Sequence, residues 1–368
     1  MKILILGDAN SSHTIKWVKG LSANGVEIGL WSISKPATGI YENIKDIKLS
    51  YAGKRIRRNR VFSKLTYLTA LPQLKKFANS FKPDIIHAHY ASSYGLLGSL
   101  LNFHPLITSV WGGDVYDFPR KNILFRELIK YNLRKADKLL STSHAMARET
   151  QKLTSKRITV TPFGIDLDVF KPLTLKREET NIFTIGTVKT LEEKYGIRYL
   201  IEAFYQLKKK FPHKELRLLI VGGGSQENEL KTMTQNLGIS NFCSFTGAVP
   251  FREVPYYHNL MDISVFLSIL DSESFGVSVL EASSVEKAVV VSNVGGLPEV
   301  VEDGTTGLVV PAKNAIAAAE AMEKLILNSE LRVQMGKSGR KRVEQHYNWK
   351  DCILQMKNIY KELLLLNK

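Results

Sequence analysis

Short apolar runs alternate with longer amphipathic stretches along this chain of 368 residues, and the alternation holds from end to end. Lys2–Leu6 reads as a buried strand, followed by a Gly-Asp turn and a helix from about Ser12 to Asn24. The pattern predicts further strands at Val26–Ile33, at Asp84–His87 behind Pro83, at Leu106–Trp111, at Lys138–Ser141 and at Ile158–Thr161. The second half repeats the plan. Phe183–Val188 reads as a strand, Arg198–Lys209 as a helix, and Leu216–Val221 as a strand running into Gly222-Gly223-Gly224. Phe242–Thr246, Ile263–Phe266, Ala288–Val291 and Leu308–Val310 complete the series, with helices between them. Such alternation implies parallel sheets wrapped by helices. The expected fold class is α/β, with two Rossmann-like doubly wound domains facing across a cleft at their strands' carboxyl ends. The length suits two cores, and a Pro- and Gly-bearing segment at 162–172 marks the join.

Composition narrows the classes. Apolar residues make up 44% and charged residues 23%, as in ordinary globular proteins. The only cysteines, Cys243 and Cys352, are far apart, so no disulfide framework or metal-ligand spacing follows, which fits a reducing compartment. The first apolar run, Ile3-Leu4-Ile5-Leu6, is too short for a signal peptide, and no stretch has the uncharged length that spans a bilayer. The expectation is a cytoplasmic protein. Charge changes the picture further. The net is +16, and residues 1–170, with 26 Lys+Arg against 12 Asp+Glu, carry +14 of it. The excess is densest from Lys54 to Lys82, where Lys54, Arg55, Arg57, Arg58, Arg60 and Lys64 are interleaved with apolar residues and no acid intervenes. A basic amphipathic segment reads as contact with an anionic membrane, or as a solvated helical face of a basic protein. Nucleic-acid binding is the other reading of the charge, and no nucleic-acid motif accompanies it.

The segment from Asp271 to Pro311 carries the chemistry. Glu273 and Glu281 lie eight positions apart, with Ser274-Phe275-Gly276-Val277 reading as a loop that opens a helix. Glu273 is expected just before the helix and Glu281 about two turns inside it. Free N–H groups at a helix start suit a phosphate, and carboxylates on either side accept from sugar hydroxyls. That layout matches a nucleotide sugar. Asp271-Ser272-Glu273 hints at a metal motif, but two carboxylates alone rarely hold Mg²⁺, so no metal is expected. Gly222-Gly223-Gly224 is no dinucleotide fingerprint, because position 227 is Glu.

This stretch resembles the retaining glycosyltransferases of family four, which have the GT-B fold. Glu273 and Glu281 match the family's E-x7-E. Gly295, Gly296, Pro298 and Glu299 match its G-G-x-P-E, and Asp303, Gly304, Gly307 and Val310 its D-G-x-x-G-x-x-V. The resemblance implies an N-terminal acceptor-binding domain over 1–165 and a nucleotide-sugar domain over 173–350. It also implies a last helix, within 351–368, that crosses back to the first domain. It gives Glu281 the ribose hydroxyls and Glu273 the transferred sugar, and brings Ser274 and the amides of Phe275, Gly276 and Val277 to sugar or phosphate. The base would lie near Gly247 and Val249. The family's G-R-x-x-x-x-K-G loop is longer here, running from Gly186 to Gly196: Lys194 matches the lysine, Thr187 stands at the arginine, and Lys189 is the candidate substitute. In the first domain, Asp8, Asn10, Ser11 and His13 form the candidate acceptor or phosphate loop, with His13 also open to a capping role. His89 and Trp111 are expected beside it, Trp111 stacking on a sugar, and Asp114 is the polar group nearest an acceptor hydroxyl. His87 reads as a packed strand residue.

The implied activity is transfer of a hexose or N-acetylhexosamine from a nucleoside diphosphate sugar, UDP favoured over GDP, to a glycan or polyprenyl-linked glycan acceptor. Neither cofactor nor nucleic acid is involved, and the enzyme would sit peripherally on the inner face of the cell membrane. A non-catalytic sugar-nucleotide-binding protein and a basic nucleic-acid-binding protein are the rival readings.

Overall fold

A computed structural model describes residues 1–42, 44, 46–53, 67–174 and 182–366. Lys54, Arg55, Arg57, Arg58, Arg60 and Lys64, the positions expected at a membrane, lie outside the described residues. The chain divides into two compact units, one of residues 1–163 with 350–368 and the other of residues 164–349.

The first unit runs β1 (Lys2–Leu6), α1 (Ser12–Ala23), β2 (Glu27–Ser32), β3 (Ile47–Tyr51), α2 (Leu71–Phe81), β4 (Ile85–His89), α3 (Tyr94–Leu101), β5 (Leu106–Val110), α4 (Ile123–Lys135), β6 (Lys138–Ser141), α5 (His144–Gln151) and β7 (Ile158–Val160). Among the described residues its strands form one parallel sheet in the order β3-β2-β1-β4-β5-β6-β7. Ile3, Leu4, Ile5 and Leu6 of the central β1 are fully buried. A strand covered by helices on both faces has no polar side to show, which is why its sequence is a continuous apolar run. β3 was not foreseen. It is the edge strand, only partly buried, and its IKLSY carries no such run.

The second unit runs β8 (Phe183–Val188), α6 (Ile197–Lys210), β9 (Leu216–Val221), α7 (Glu227–Asn236), β10 (Cys243–Phe245), α8 (Val254–Leu260), β11 (Ile263–Phe266), α9 (Val277–Ser284), β12 (Ala288–Ser292), α10 (Leu297–Val300), β13 (Gly307–Val310), α11 (Ala315–Leu327) and α12 (Ser329–His346). Its sheet is again parallel, ordered β10-β9-β8-β11-β12-β13. The final helix, α13 (Trp349–Leu366), packs Tyr360 against His87 of β4 in the first unit.

Both sheets are doubly wound. Strand order reverses between β1 and β4 in one and between β8 and β11 in the other. Loops leaving the carboxyl ends of two such strands diverge and leave a crevice, where open α/β sheets bind ligands. The places to search are therefore the loops after β1 and β4, and those after β8 and β11.

Candidate active site

In the second unit the loop after β11 delivers both acids. α9 begins at Val277, and Glu281 is its fifth residue, so that carboxylate sits just over one turn in, not two as the sequence suggested. The helix starts late because Gly276 before it has φ 98°, a left-handed value; a Cβ there would also meet Leu297 Cδ2 at 2.8 Å. Glu273 and Glu281 are each 8% exposed. The downstream glycines form the surface against which this loop is pressed. A Cβ on Gly295 would come within 2.2 Å of the Glu273 carbonyl oxygen, and Gly296 N–H donates to that same oxygen at 2.9 Å. Asp271 accepts from Gly295 N–H at 3.2 Å, a loop contact. Among the described residues no group of three His, Cys, Asp or Glu could hold a metal. Ser274 and Phe275 are buried, and the Phe275 ring meets Tyr347 edge-on.

The loop after β8 brings the cations. Lys189 Nζ lies 3.1 Å from Oε1 and 3.0 Å from Oε2 of Glu273. The same ammonium sits 4.4 Å from the Tyr195 ring centre, and Lys194 Nζ sits 4.7 Å from it. Thr187, at the arginine position, is fully buried within β8 and presents nothing to a ligand. The loop backbone is pinned. Leu191 N–H donates to the Gly223 carbonyl, so the triple glycine serves as its dock. Glu192 accepts from Ser225 N–H at 3.0 Å and Ser225 Oγ at 2.6 Å, and these bonds hold its carboxyl below the usual range. Ile269 N–H donates to the Lys194 carbonyl, joining this loop to the one that carries Glu273. Gly247 and Val249 lie on the loop after β10, where the Gly247 carbonyl accepts from Gly222 N–H at 3.0 Å.

Sequence reasoning missed two residues here. His258 of α8 is fully buried, neither ring nitrogen has a hydrogen-bond partner, and Nε2 stands 3.7 Å from Glu281 Oε2. A lone histidine in YYHN carries no signal that would single it out. Tyr195 was visible only as the residue that lengthens the lysine loop.

In the first unit a cavity of about 890 Å³ opens beside β1 and β4, lined by Asp8, Ser11, His13, His89 and Trp111, as well as Lys35, Tyr51, Tyr67, Tyr90 and Tyr94. His13 stacks on Phe163 at 4.0 Å, nearly parallel, and Trp111 stands edge-on to both. His89 packs beside Trp111 with Nδ1 buried and unpartnered. Burial first, then His87 and His13, hold its pKa well below the usual histidine range, so it is neutral. His87 is bonded to Tyr360 and Ser109 at 2.7 Å each, a packed strand residue.

Two expected site residues have other duties. Asn10 does not line the cavity: its amide donates to the Lys35 carbonyl at 2.9 Å and accepts from Ala37 N–H at 2.8 Å, which fixes the chain after β2. Asp114 is fully buried, with Oδ2 accepting from Ala91 N–H and Oδ1 from the N–H groups of Trp111 and Gly112, at 2.7 to 3.1 Å. Both oxygens are engaged by the backbone, so Asp114 organises this loop.

Comparison with known proteins accords with this geometry. The family described as "Glycosyl transferases group 1" matches residues 174–342, and "Glycosyl transferase 4-like" matches residues 2–143. A D-inositol 3-phosphate glycosyltransferase of Corynebacterium aurimucosum is 27% identical over 97% of this chain and 92% of its own. A GDP-mannose-dependent phosphatidylinositol monomannoside mannosyltransferase of Mycobacterium tuberculosis is 30% identical over 200 residues, about half (51%) of each chain. Among solved structures, HepE of Anabaena in complex with UDP superposes with a TM-score of 0.81 over 98% of this chain and 100% of that one, at 17% identity. Two sugar-transferase families that between them span most of the sequence, on two doubly wound sheets, make the chain a GT-B glycosyltransferase of the family-four type, a hexosyltransferase.

Proposed function

We propose that this enzyme is a retaining transferase. It moves a hexose from a UDP-sugar, in preference to a GDP-sugar, onto a hydroxyl of a glycan or polyprenyl-linked glycan, and takes part in surface polysaccharide or glycoconjugate synthesis at the inner face of the cell membrane. The observation that carries the reading is the cluster at the β8/β11 switch point, where Lys189 stands against Glu273 and shares the Tyr195 ring with Lys194, and where Glu281 lies just over one turn into α9. Glu281 accepts from both ribose hydroxyls, bidentate through its two oxygens. The amides of Phe275, Gly276 and Val277, with Ser274, meet phosphate and sugar at the helix start. Glu273 takes hydroxyls of the transferred sugar, and the base lies against Gly247 and Val249. Lys189 and Lys194 stabilise the charge that develops as the diphosphate departs.

No general base is assigned. Asp114 is spent on backbone amides, and His89 is held neutral beneath Trp111. The departing diphosphate oxygen takes the acceptor proton, on the face it leaves, which keeps the anomeric configuration. The acceptor occupies the cavity of the first unit, where Asp8, Ser11, His13 and the tyrosines offer hydroxyl-matching groups and Trp111 an apolar plane. No metal takes part. The UDP preference is supported by HepE having been solved with UDP, while the mannosyltransferase relative uses GDP-mannose.

A thermal-shift screen of UDP-, GDP- and ADP-sugars decides the base, because a bound donor raises the unfolding temperature by mass action. With the donor so chosen, Glu281→Ala should raise its KM roughly 10- to 100-fold, the loss expected for charge-assisted hydrogen bonds. Activity should survive EDTA, and NMR of the product should show the donor's anomeric configuration. Unchanged donor kinetics in the Glu281 variant would reject the ribose role.

A further inference from the structure

We propose that Tyr195 is a positioning residue for the donor's diphosphate: its ring gathers the ammonium groups of Lys189 and Lys194 so that two separate charges act on one anion. The inference rests on the donor reading of those lysines and adds what holds them.

The need arises from the sequence. An arginine presents a rigid fork of donors to a phosphate, whereas a lysine is a single charge on a flexible stem. At the arginine position this chain has Thr187, sealed inside β8. Two lysines standing in for a fork repel each other and lose freedom when held together, so something must hold them. Lys189 Nζ is 4.4 Å and Lys194 Nζ 4.7 Å from the centre of the same ring, both within the ~6 Å over which an aromatic quadrupole attracts a cation.

The ring itself is fixed. Tyr195 packs on the core of the second unit, and its N–H donates to the Glu192 carbonyl at 3.0 Å. The Glu192 carboxylate is tied to Ser225, and the Lys194 carbonyl accepts from Ile269 N–H at 2.8 Å. What remains is to bring together the two lysine stems, of which Lys189 is also held by Glu273.

An aromatic ring suits this task better than an acid does. A carboxylate also attracts ammonium groups, but its full negative charge repels an incoming diphosphate. A ring has no net charge, so it holds cations without opposing the anion they serve. Glu273 already supplies one carboxylate, at 3.0 Å from Lys189, and a second at position 195 would leave the pair neutralised.

The test compares UDP with UMP on the full-length protein by titration calorimetry, so that the second phosphate is read separately from the nucleoside. Tyr195→Phe keeps the ring and should bind UDP within about 2-fold of wild type. Tyr195→Leu keeps apolar bulk without the ring and should weaken UDP about 3- to 30-fold while leaving UMP nearly unchanged. Phenylalanines of increasing fluorination at position 195 preserve shape while draining the quadrupole, so UDP affinity should fall stepwise even if the leucine variant does not fold. Equal losses for UMP and UDP, loss in Tyr195→Phe as large as in Tyr195→Leu, or indifference to fluorination would each overturn the role of the ring. If wild type binds none of UDP, GDP and ADP, the donor reading fails and takes this proposal with it, an outcome distinct from the other three.

Discussion

Asp114 shows how far a single residue can be read from its neighbours in sequence. An acid directly after a strand, in Trp-Gly-Gly-Asp, has the look of a site residue, and so does Asn10 in the first loop. In the fold each turns its side chain to backbone groups brought close only by the folded sheet: Ala91 N–H for Asp114, and the Lys35 carbonyl and Ala37 N–H for Asn10. Sequence spacing tells which loop a residue occupies but not which way it faces. The burial of Asp114 has a measurable consequence. Desolvation pushes its pKa up to about 6, only partly offset by the amides of Ala91, Trp111 and Gly112. A carboxyl whose folded pKa lies above its unfolded value near 3.8 contributes most to stability below pH 3.8 and loses that contribution as pH rises through about 6. The amplitude is on the order of 3 kcal/mol. Asp114→Asn removes the titration but sets an amide donor against backbone donors, at a cost of roughly 1–3 kcal/mol. Urea unfolding at pH 5 and pH 8 should therefore show the wild type losing its advantage over the variant as pH rises; a constant difference would mean that Asp114 does not titrate in the fold.

At the scale of elements, legibility follows burial. Strands covered on both faces, such as β1 and β12, declare themselves as apolar runs, whereas α13 was expected from the family resemblance and docks through Cys352, Ile353, Met356, Ile359, Tyr360 and Leu363. The edge strand β3 gives no such signal, and the start of α9 is set by Gly276 and its contact with Leu297, which no local pattern encodes. The docking of α13 is sensitive to acid. Its Tyr360 hydroxyl meets His87 Nδ1 deep in the first unit, and burial lowers the His87 pKa to about 3. A histidine whose folded pKa lies below its unfolded value stabilises fully above about pH 6.5, and that contribution drains away as pH falls towards 3. Tyr360→Phe leaves His87 with one partner, Ser109, and should cost about 1–3 kcal/mol at neutral pH. Far-UV circular dichroism along an acid titration should show the variant unfolding at a higher pH than wild type. Coincident curves would show that the bond does not hold the helix.

For the whole molecule, the two doubly wound sheets and the placing of Glu273 and Glu281 on one loop and helix were legible because each rests on a long, repeated or closely spaced pattern. Lys189, Lys194 and Glu273 were brought to one site only by the family resemblance; the direct contact of Lys189 with Glu273, 84 positions away, and the Tyr195 ring beside both lysines were not legible, because they arise only in the folded loops, where β8 and β11 pair. Charge is the other property that belongs to the molecule as a whole. Residues 1–170 carry +14 and the rest +2, a lopsidedness with no counterpart in the fold, since both halves are built alike. Among the described residues no helix is long and apolar enough to cross a membrane. Each basic side chain near an anionic bilayer contributes about 1 kcal/mol, and salt screens it over a Debye length of about 10 Å. Sedimentation with phosphatidylglycerol vesicles should therefore show binding that falls as salt rises from 50 to 300 mM and is absent with phosphatidylcholine alone. Replacing Arg55, Arg57 and Arg58 together by serine should lower the partition coefficient roughly 100-fold, while a matched triple replacement of Lys208, Lys209 and Lys210, which end α6 in the second unit, should change it little. Equal losses from the two triples would assign the affinity to net charge, and undiminished binding in both would remove the basic segment from the membrane reading.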